Sequence, residues 1–335
     1  MKNLKRKVNP IITLAALLAI FIGCFGAYNL QAAERVDTTK SIRITAAIAE
    51  QDSSRFATDF TGVETINLYK IAVMDETGQL SLADQFKDSG IDLSVIQSTS
   101  SVEQVIEAVV NPAKNVAETL APTDVIAFDR ADKATSASVD IERGAGIYLY
   151  IPEDAQDSRY KYEFTSYILF APTSDFIATG SGSDEWSYES RFNLKSTEED
   201  RLGSLEIKKT LDTFNSSLGE AAFVYKVKAA RDEKVVLDNV YTINFDRAGS
   251  ISRVIEEIPA DAEVTVTEVY KGSSYNIVGD STKTTTIVAD ETVAVEFEND
   301  YDGRLISGGI SAENNFEEED GVIYWIDEDG TRVRQ

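Results

Sequence analysis

The chain has no histidine, one cysteine, two methionines and six prolines in 335 residues. Without histidine a histidine-based catalytic triad is excluded, and a single thiol cannot build a cysteine-rich zinc site. Positive charge is also scarce: 32 lysines and arginines stand against 57 acidic residues, a formal net charge of -25. Nucleic acid and anionic membrane surfaces demand basic patches, so neither is an expected partner. A highly soluble acidic face is the simpler account of the charge. Scattered carboxylates remain as metal ligands, but Asp327-Glu328-Asp329-Gly330 lacks the spacing of a full calcium loop and reads as a hairpin turn. We expect no cofactor and no metal.

Long apolar runs are equally rare, and the one present is at the amino end. Lys2, Lys5, Arg6 and Lys7 precede an apolar stretch from Ile11 to about Ile22, and a small-residue exit follows at Gln31-Ala32-Ala33. This is the pattern of a secretory signal peptide over residues 1–33, cleaved near Ala32. The run falls short of the roughly 17–25 residues of a spanning helix unless Gly23 to Ala27 is included. No integral membrane segment is therefore expected in the mature chain. Cys24 lies inside the run, and lipoprotein anchoring through it is a minor alternative, because Phe21 stands where such signals prefer leucine. Cleavage at Ala32 leaves an exported chain without cysteine, so any covalent bracing has to come from chemistry other than a disulfide.

About 300 mature residues suffice for two domains, and the texture is mainly β. Strand-like runs at Ser41 to Ala49, Thr65 to Val73, Gly146 to Tyr150, Tyr160 to Phe170 and Trp186 to Leu194 outline a first domain over 41–197. Between them, about residues 80–120 carry apolar positions three and four apart, as in Val102-Glu103-Gln104-Val105-Ile106-Glu107-Ala108-Val109-Val110, which predicts a small helical insertion. A Gly/Ser-rich loop spans Thr179 to Asp184. The polar run Ser196 to Gly203 is the best boundary. Seven or eight short strands with turns between them follow over 203–300, the pattern of a sandwich of roughly 100 residues. A tail, 301–335, ends in a hairpin-like piece with Tyr324 and Trp325.

Three runs in the second domain end on residues that an apolar face does not ordinarily accept. Alternation puts Leu205, Ile207 and Lys209 on one face, Val264, Val266 and Glu268 on another, and Val293, Val295, Phe297 and Asn299 on a third. Each is read as the buried face. Desolvation alone lowers a lysine pKa and raises that of a glutamate, which are the states suited to a condensation. A neutral Lys209 amine can attack the side-chain carbonyl carbon of Asn299 while Glu268 donates to that carbonyl and shuttles protons until ammonia leaves. The alternative is plain: Lys209 snorkels from a strand end, Glu268 lies beyond the sheet edge and Asn299 starts a turn.

These residues carry a resemblance. Gly203-Ser204-Leu205-Glu206-Ile207-Lys208-Lys209-Thr210, Thr265-Val266-Thr267-Glu268 and Val295-Glu296-Phe297-Glu298-Asn299 resemble, in order and spacing, the opening, central and closing strands of the Cna B-type, transthyretin-like sandwich domains of Gram-positive surface proteins and pilins. The resemblance implies two tandem Ig-like or Cna B-type sandwiches, the first with a helical insertion. It also implies an autocatalytic Lys209-Asn299 isopeptide bond with Glu268 as proton shuttle.

The first domain is similar to pilin domains at Tyr69-Lys70-Ile71-Ala72 and Gly146-Ile147-Tyr148-Leu149. Trp186 and Lys195 keep the spacing of the pilin motif, whose lysine accepts an intermolecular crosslink, although Ser190, Asn193 and Leu194 replace its valine, tyrosine and proline. Lys195 is thus a candidate acceptor. No lysine lies between Ile42 and Ala49, so no second internal bond is expected, and Lys70 is read as a surface charge. Without a recognisable sorting pentapeptide and apolar tail, ordinary sortase processing is not expected.

The resulting expectation is a secreted or cell-surface structural or adhesive pilin-like protein, not a turnover enzyme. Its expected partners are other surface or pilus subunits or a host or matrix ligand. Two other readings stay open: a secreted carbohydrate-active enzyme using an Asp/Glu pair, and a soluble ligand-binding module without a crosslink.

Overall fold

A computed structural model describes residues 35–97, 99–174 and 185–304, together with the backbone of three short strands beyond them. The expected signal segment with Cys24, the Gly/Ser-rich loop Thr179 to Asp184 and the Asp327-Gly330 turn lie outside the described residues. The fold is mainly β, and the chain divides into two compact units, up to Glu199 and from Asp200 onward. Among the described residues no helix is long and apolar enough to cross a membrane.

The first unit contains β1 (Ile42–Ala47), β2 (Val63–Met74), β3 (Leu80–Leu82), β4 (Asp124–Asp129), β5 (Ser136–Ile141), β6 (Gly146–Pro152), β7 (Ala155–Gln156), β8 (Tyr160–Phe164), β9 (Tyr167–Ala171), β10 (Glu189–Asn193) and β11 (Ser196–Asp200). Strand β2 is the longest of these, and its neighbours β3, β6 and β4 all pair with it antiparallel. A second sheet runs β10-β1-β5 and a small third one β11-β8-β7. They share one core, which includes Ile42, Ile44, Ile66, Leu68, Tyr148 and Phe192.

The insertion is a helical segment from Val102 to Ala117 with a π-helical turn at Ile106–Val110, preceded by two 3-10 turns. Ser101 and Gln104 form a capping box at its start, satisfying two end groups reciprocally. Its stripe of Val105, Val109, Val110, Ala113 and Ala117 is buried against the sheets.

Several details depart from expectation. Strands β4 and β5 were not anticipated. The polar run expected as the boundary, Ser196 to Gly203, contains the division between the units, but its first part, Ser196–Asp200, is strand β11 beside β8. Lys70 is half buried rather than a surface charge: its Nζ donates to the Arg143 carbonyl at 3.2 Å, and desolvation lowers its pKa.

The second unit opens with eight strands: β12 (Leu202–Leu211), β13 (Ala221–Arg231), β14 (Lys234–Phe245), β15 (Gly249–Pro259), β16 (Glu263–Tyr270), β17 (Tyr275–Val278), β18 (Thr282–Thr286) and β19 (Thr292–Tyr301). They form two four-stranded sheets, β15-β12-β19-β17 and β14-β13-β16-β18. The first and last of these strands, β12 and β19, are parallel neighbours. The remaining pairs are antiparallel. Leu205, Ile207, Phe223, Tyr225, Val227, Val264, Val266, Val295 and Phe297 fill one core between the sheets. Each large side chain so buried contributes about 1.5–3 kcal/mol relative to exposure.

Beyond these, Val322–Ile326 pairs antiparallel with both Asn315–Glu319 and Arg332–Arg334.

Candidate functional site

Alternation along three strands delivers three polar groups to one place inside the second sandwich. On β12 the buried residues are Leu205, Ile207, Lys209 and Leu211. Their outward neighbour Lys208 instead pairs with Glu296 on β19, Nζ to Oε1 2.9 Å, in the same register. Strand β19 turns Val295, Phe297 and Asn299 inward. Because β12 and β19 are parallel, with Lys209 beside Phe297 and Leu211 beside Asn299, Lys209 and Asn299 are diagonal neighbours on one sheet face. Glu268 comes from β16 in the facing sheet, beside Tyr225 of β13.

The two sheets meet at the Glu268 carboxyl. Lys209 Nζ donates to Glu268 Oε1 at 3.0 Å and to Oε2 at 3.2 Å. Asn299 Nδ2 donates to the same Oε1 at 2.6 Å. The lysine and glutamate side chains are both 0% exposed, and Asn299 is fully buried as well. Asn299 Nδ2 is also held by the carbonyl of Lys271 at 3.2 Å, whereas Oδ1 is buried with no donor.

That carbonyl belongs to the turn between β16 and β17. Gly272 there has φ +81°, a left-handed conformation, and a Cβ would sit 2.8 Å from the Tyr275 ring.

Aromatic walls complete the enclosure. Lys209 Nζ lies 4.6 Å from the centroid of Phe223 and 5.9 Å from that of Tyr225, positions in which the ring faces attract a cation. Phe297, next to Lys209 in register, packs on Tyr225 with centroids 5.0 Å apart. Water is therefore replaced by rings and one carboxylate. Burial pushes the Lys209 amine down to about 8, although Glu268 opposes that shift by favouring the charged form. Desolvation wins here, so a useful fraction of the amine is neutral near physiological pH.

The arrangement can do three things chemically. The carboxylate can take a proton from the ammonium across 3.0 Å, the amine so freed is a nucleophile, and Glu268 Oε1 touches the nitrogen that would leave.

The parity of Lys209, Glu268 and Asn299 was readable in advance; Phe223 and Tyr225 alternate inward on β13. The cage they form was not anticipated. The Lys271 carbonyl was missed because a backbone group has no side-chain signature.

Lys195 is not part of this cluster. It lies between β10 and β11 in the first unit, half buried, with desolvation lowering its pKa. Its carbonyl accepts from Thr165 N at 3.1 Å. Of the residues that depart from the motif, Ser190 points inward with its Oγ donating to the Phe170 carbonyl at 2.7 Å, Leu194 is buried and Asn193 is exposed, while Phe192 between them stacks on Tyr150 at 4.0 Å.

Residues 205–302 match a family profile described as Domain of unknown function (DUF5979). No curated protein matches the chain. Solved structures that resemble it include the minor pilin GBS52 of the Gram-positive pathogen Streptococcus agalactiae, at 12% identity over 81% of this chain and 100% of that one, TM-score 0.22. The major pilin of Streptococcus pyogenes aligns at 11% identity over 78% of this chain and 98% of that one, TM-score 0.27. A streptococcal ancillary pilin aligns at 12% identity over 88% and 86%, TM-score 0.27. The named proteins are Gram-positive pilins, but likenesses this distant are no ground for assigning a function.

Proposed function

We propose that the second unit crosslinks itself through an amide between Lys209 and Asn299, with Glu268 moving the protons. The observation that carries this reading is the convergence of Lys209 Nζ and Asn299 Nδ2 on one buried Glu268 oxygen. A buried ion pair is costly to keep, since each ion loses several kcal/mol of hydration. Condensation removes the ammonium altogether.

The step balances as follows. The Lys209 ammonium gives one proton to the Glu268 carboxylate, and the neutral amine attacks Cγ of Asn299. Charge develops on Oδ1, the atom with no donor beforehand, and the Glu268 proton neutralises it. Collapse breaks the Cγ–Nδ2 bond as a further proton from the attacking nitrogen passes through Glu268 to Nδ2. Ammonia leaves, the Oδ1 proton returns to Glu268 as the carbonyl reforms, and Glu268 ends with one proton of the original ammonium. The reaction runs once per chain and in cis, so proximity takes the place of turnover.

The wider reading is a secreted or cell-surface structural, adhesive subunit of pilin type. A staple between the first and last strands of the sandwich suits a module under tension, and an exported chain whose one cysteine lies in the expected signal has no disulfide to serve instead. Its expected associates are other surface subunits or an extracellular ligand, and Lys195 is the candidate for an intermolecular link.

Intact mass of the denatured protein tests the core of the proposal. The wild-type chain should be lighter than its sequence by one ammonia, while Lys209→Ala and Asn299→Ala should each show the full sequence mass. A folded wild-type protein at full sequence mass would sink it.

A further inference from the structure

The first unit has a buried carboxyl of its own. Glu64 sits near the start of β2 and shares the inward parity of Ile66 and Leu68, and it is only 1% exposed. Unlike Glu268 it forms no ion pair among the described residues, and its Oε1 is buried with no hydrogen-bond donor. The charged groups that act on it are Glu153 and Asp154, both acidic. Desolvation first, and then these two neighbours, push its carboxyl up to about 8. From the paired strand β4, Asp129 stands opposite Val63. The following residue, Arg130, donates Nη1 to the Ala134 carbonyl and Nη2 to those of Phe56 and Ala57, its Nε is buried without an acceptor, and it does not figure among the charges that act on Glu64. Among the described residues no cation acts on Glu64.

Glu64 lines a cavity of about 190 Å³ together with Phe60, Gly62, Glu153, Asp154 and Gln156. Glu153 is fixed on its rim: its N–H donates to the Thr65 carbonyl at 2.9 Å and its Oε1 accepts from Asn67 Nδ2 at 2.9 Å. The volume is below the roughly 300–1,000 Å³ of sites that enclose whole small molecules, so a head group fits and a sugar chain does not. Among the described residues no three acidic side chains converge closely enough to hold a metal ion. An unpartnered carboxyl oxygen with two further carboxylates around it is complementary to an organic cation with hydrogen-bond donors.

We infer that this cavity binds the ammonium or guanidinium head of a free amine or of a basic side chain, with Glu64 as buried counter-ion and Glu153 and Asp154 as rim. On binding, the Glu64 carboxylic acid releases its proton to solvent and the carboxylate pairs with the incoming cation, so one proton leaves per cation bound. Affinity then rises about tenfold per pH unit below about 8 and levels off above it.

The test titrates n-butylammonium and methylguanidinium chloride into the full folded chain, with sodium chloride at matched ionic strength as control, while NMR follows the Glu64 carboxyl. Either cation should move the Glu64 midpoint to lower pH and bind about tenfold tighter at pH 7 than at pH 6. Glu64→Gln, neutral and nearly isosteric, should abolish binding and its pH dependence, and Glu153→Gln should weaken binding while Glu64 still titrates high. Sedimentation separates the sources. Self-association lost in Glu64→Gln identifies a basic side chain of a second copy as occupant, and a monomer that binds both amines identifies a free or foreign cation. No displacement of Glu64 beyond the sodium chloride control, or undiminished binding by folded Glu64→Gln, overturns the inference. If Glu64→Gln does not fold, the wild-type titration alone decides.

Discussion

Glu268 is the residue on which the second unit turns, because two donors from the opposite sheet end on one of its oxygens. Replacing it with alanine leaves Lys209 buried without a counter-ion or a proton acceptor. Glu268→Ala is expected to stay uncondensed at full sequence mass and to be about 3–5 kcal/mol less stable in urea unfolding than the equally uncondensed Asn299→Ala, in which Lys209 keeps its counter-ion. Asn299→Ala tests the amine itself. In that variant Lys209 remains a lysine whose folded pKa, about 8, is below its unfolded value near 10.4. Between those values the unfolded chain binds more protons than the folded one, so the variant's second unit should gain stability as pH rises through that window. In the wild-type protein the amine has been consumed and the window should be flat; parallel urea midpoints for the two proteins would contradict this.

These residues were legible because a strand's side chains alternate with a period of two and because a lysine at the end of Leu205-Ile207-Lys209 breaks the pattern visibly. Glu64 obeys the same rule in Glu64-Ile66-Leu68 and escaped notice only because the strand was expected to start at Thr65.

Elements were less evenly legible, and the reasons are physical. Strand β4 has only Ile126 and Phe128 fully buried, too few to show alternation. Strand β5 does alternate, with Ala137, Val139 and Ile141 inward, but only Ile141 of them is fully buried and the residues between are polar. Backbone pairing with β2 and β1 makes them strands. Strands β14 and β15 run longer than their apolar cores suggest because they are sheet edges, and the part of β15 from Gly249 to Val254 is exposed on both faces. The helical insertion was visible because its capping residue and apolar stripe are both local.

The turn at Gly272 is the element on which the site depends without contributing a side chain. Gly272→Ala forces a left-handed φ on an L-residue, a cost of roughly 1–2 kcal/mol, and drives its Cβ toward Tyr275. It should displace the Lys271 carbonyl from Asn299 Nδ2 and slow condensation, read as a longer persistence of full-mass protein after refolding. Unchanged kinetics would remove the carbonyl from the account.

On the scale of the whole molecule, the proposed bond closes a loop of about 90 residues, for which chain entropy alone predicts about 4.5 kcal/mol. Because Lys209 and Asn299 lie on the first and last strands of the sandwich, tension applied across them bypasses the chain between. Single-molecule pulling on wild-type protein should release almost none of the length between Lys209 and Asn299, and Asn299→Ala should release nearly all of it. The first unit should respond to pH in the sense opposite to the uncondensed second unit of Asn299→Ala. Glu64, with its carboxyl pushed up to about 8, keeps its proton when folded at pH values where the unfolded carboxyl has lost it. Stability of the first unit should therefore fall as pH rises from about 4.3 to about 8, and Glu64→Gln should remove that slope.

The bond between Lys209 and Asn299 has one plain chemical signature. Trypsin cuts after Lys208 and Lys226 and after Lys283 and Arg304 but not at an acylated Lys209, so a tryptic digest of the denatured protein isolates residues 209–226 and 284–304. Tandem mass spectrometry is expected to find these two peptides joined as one branched species, lighter than their sum by an ammonia, with fragment ions placing the branch at Lys209 and Asn299. Recovery of two separate, unmodified linear peptides from folded protein would contradict it.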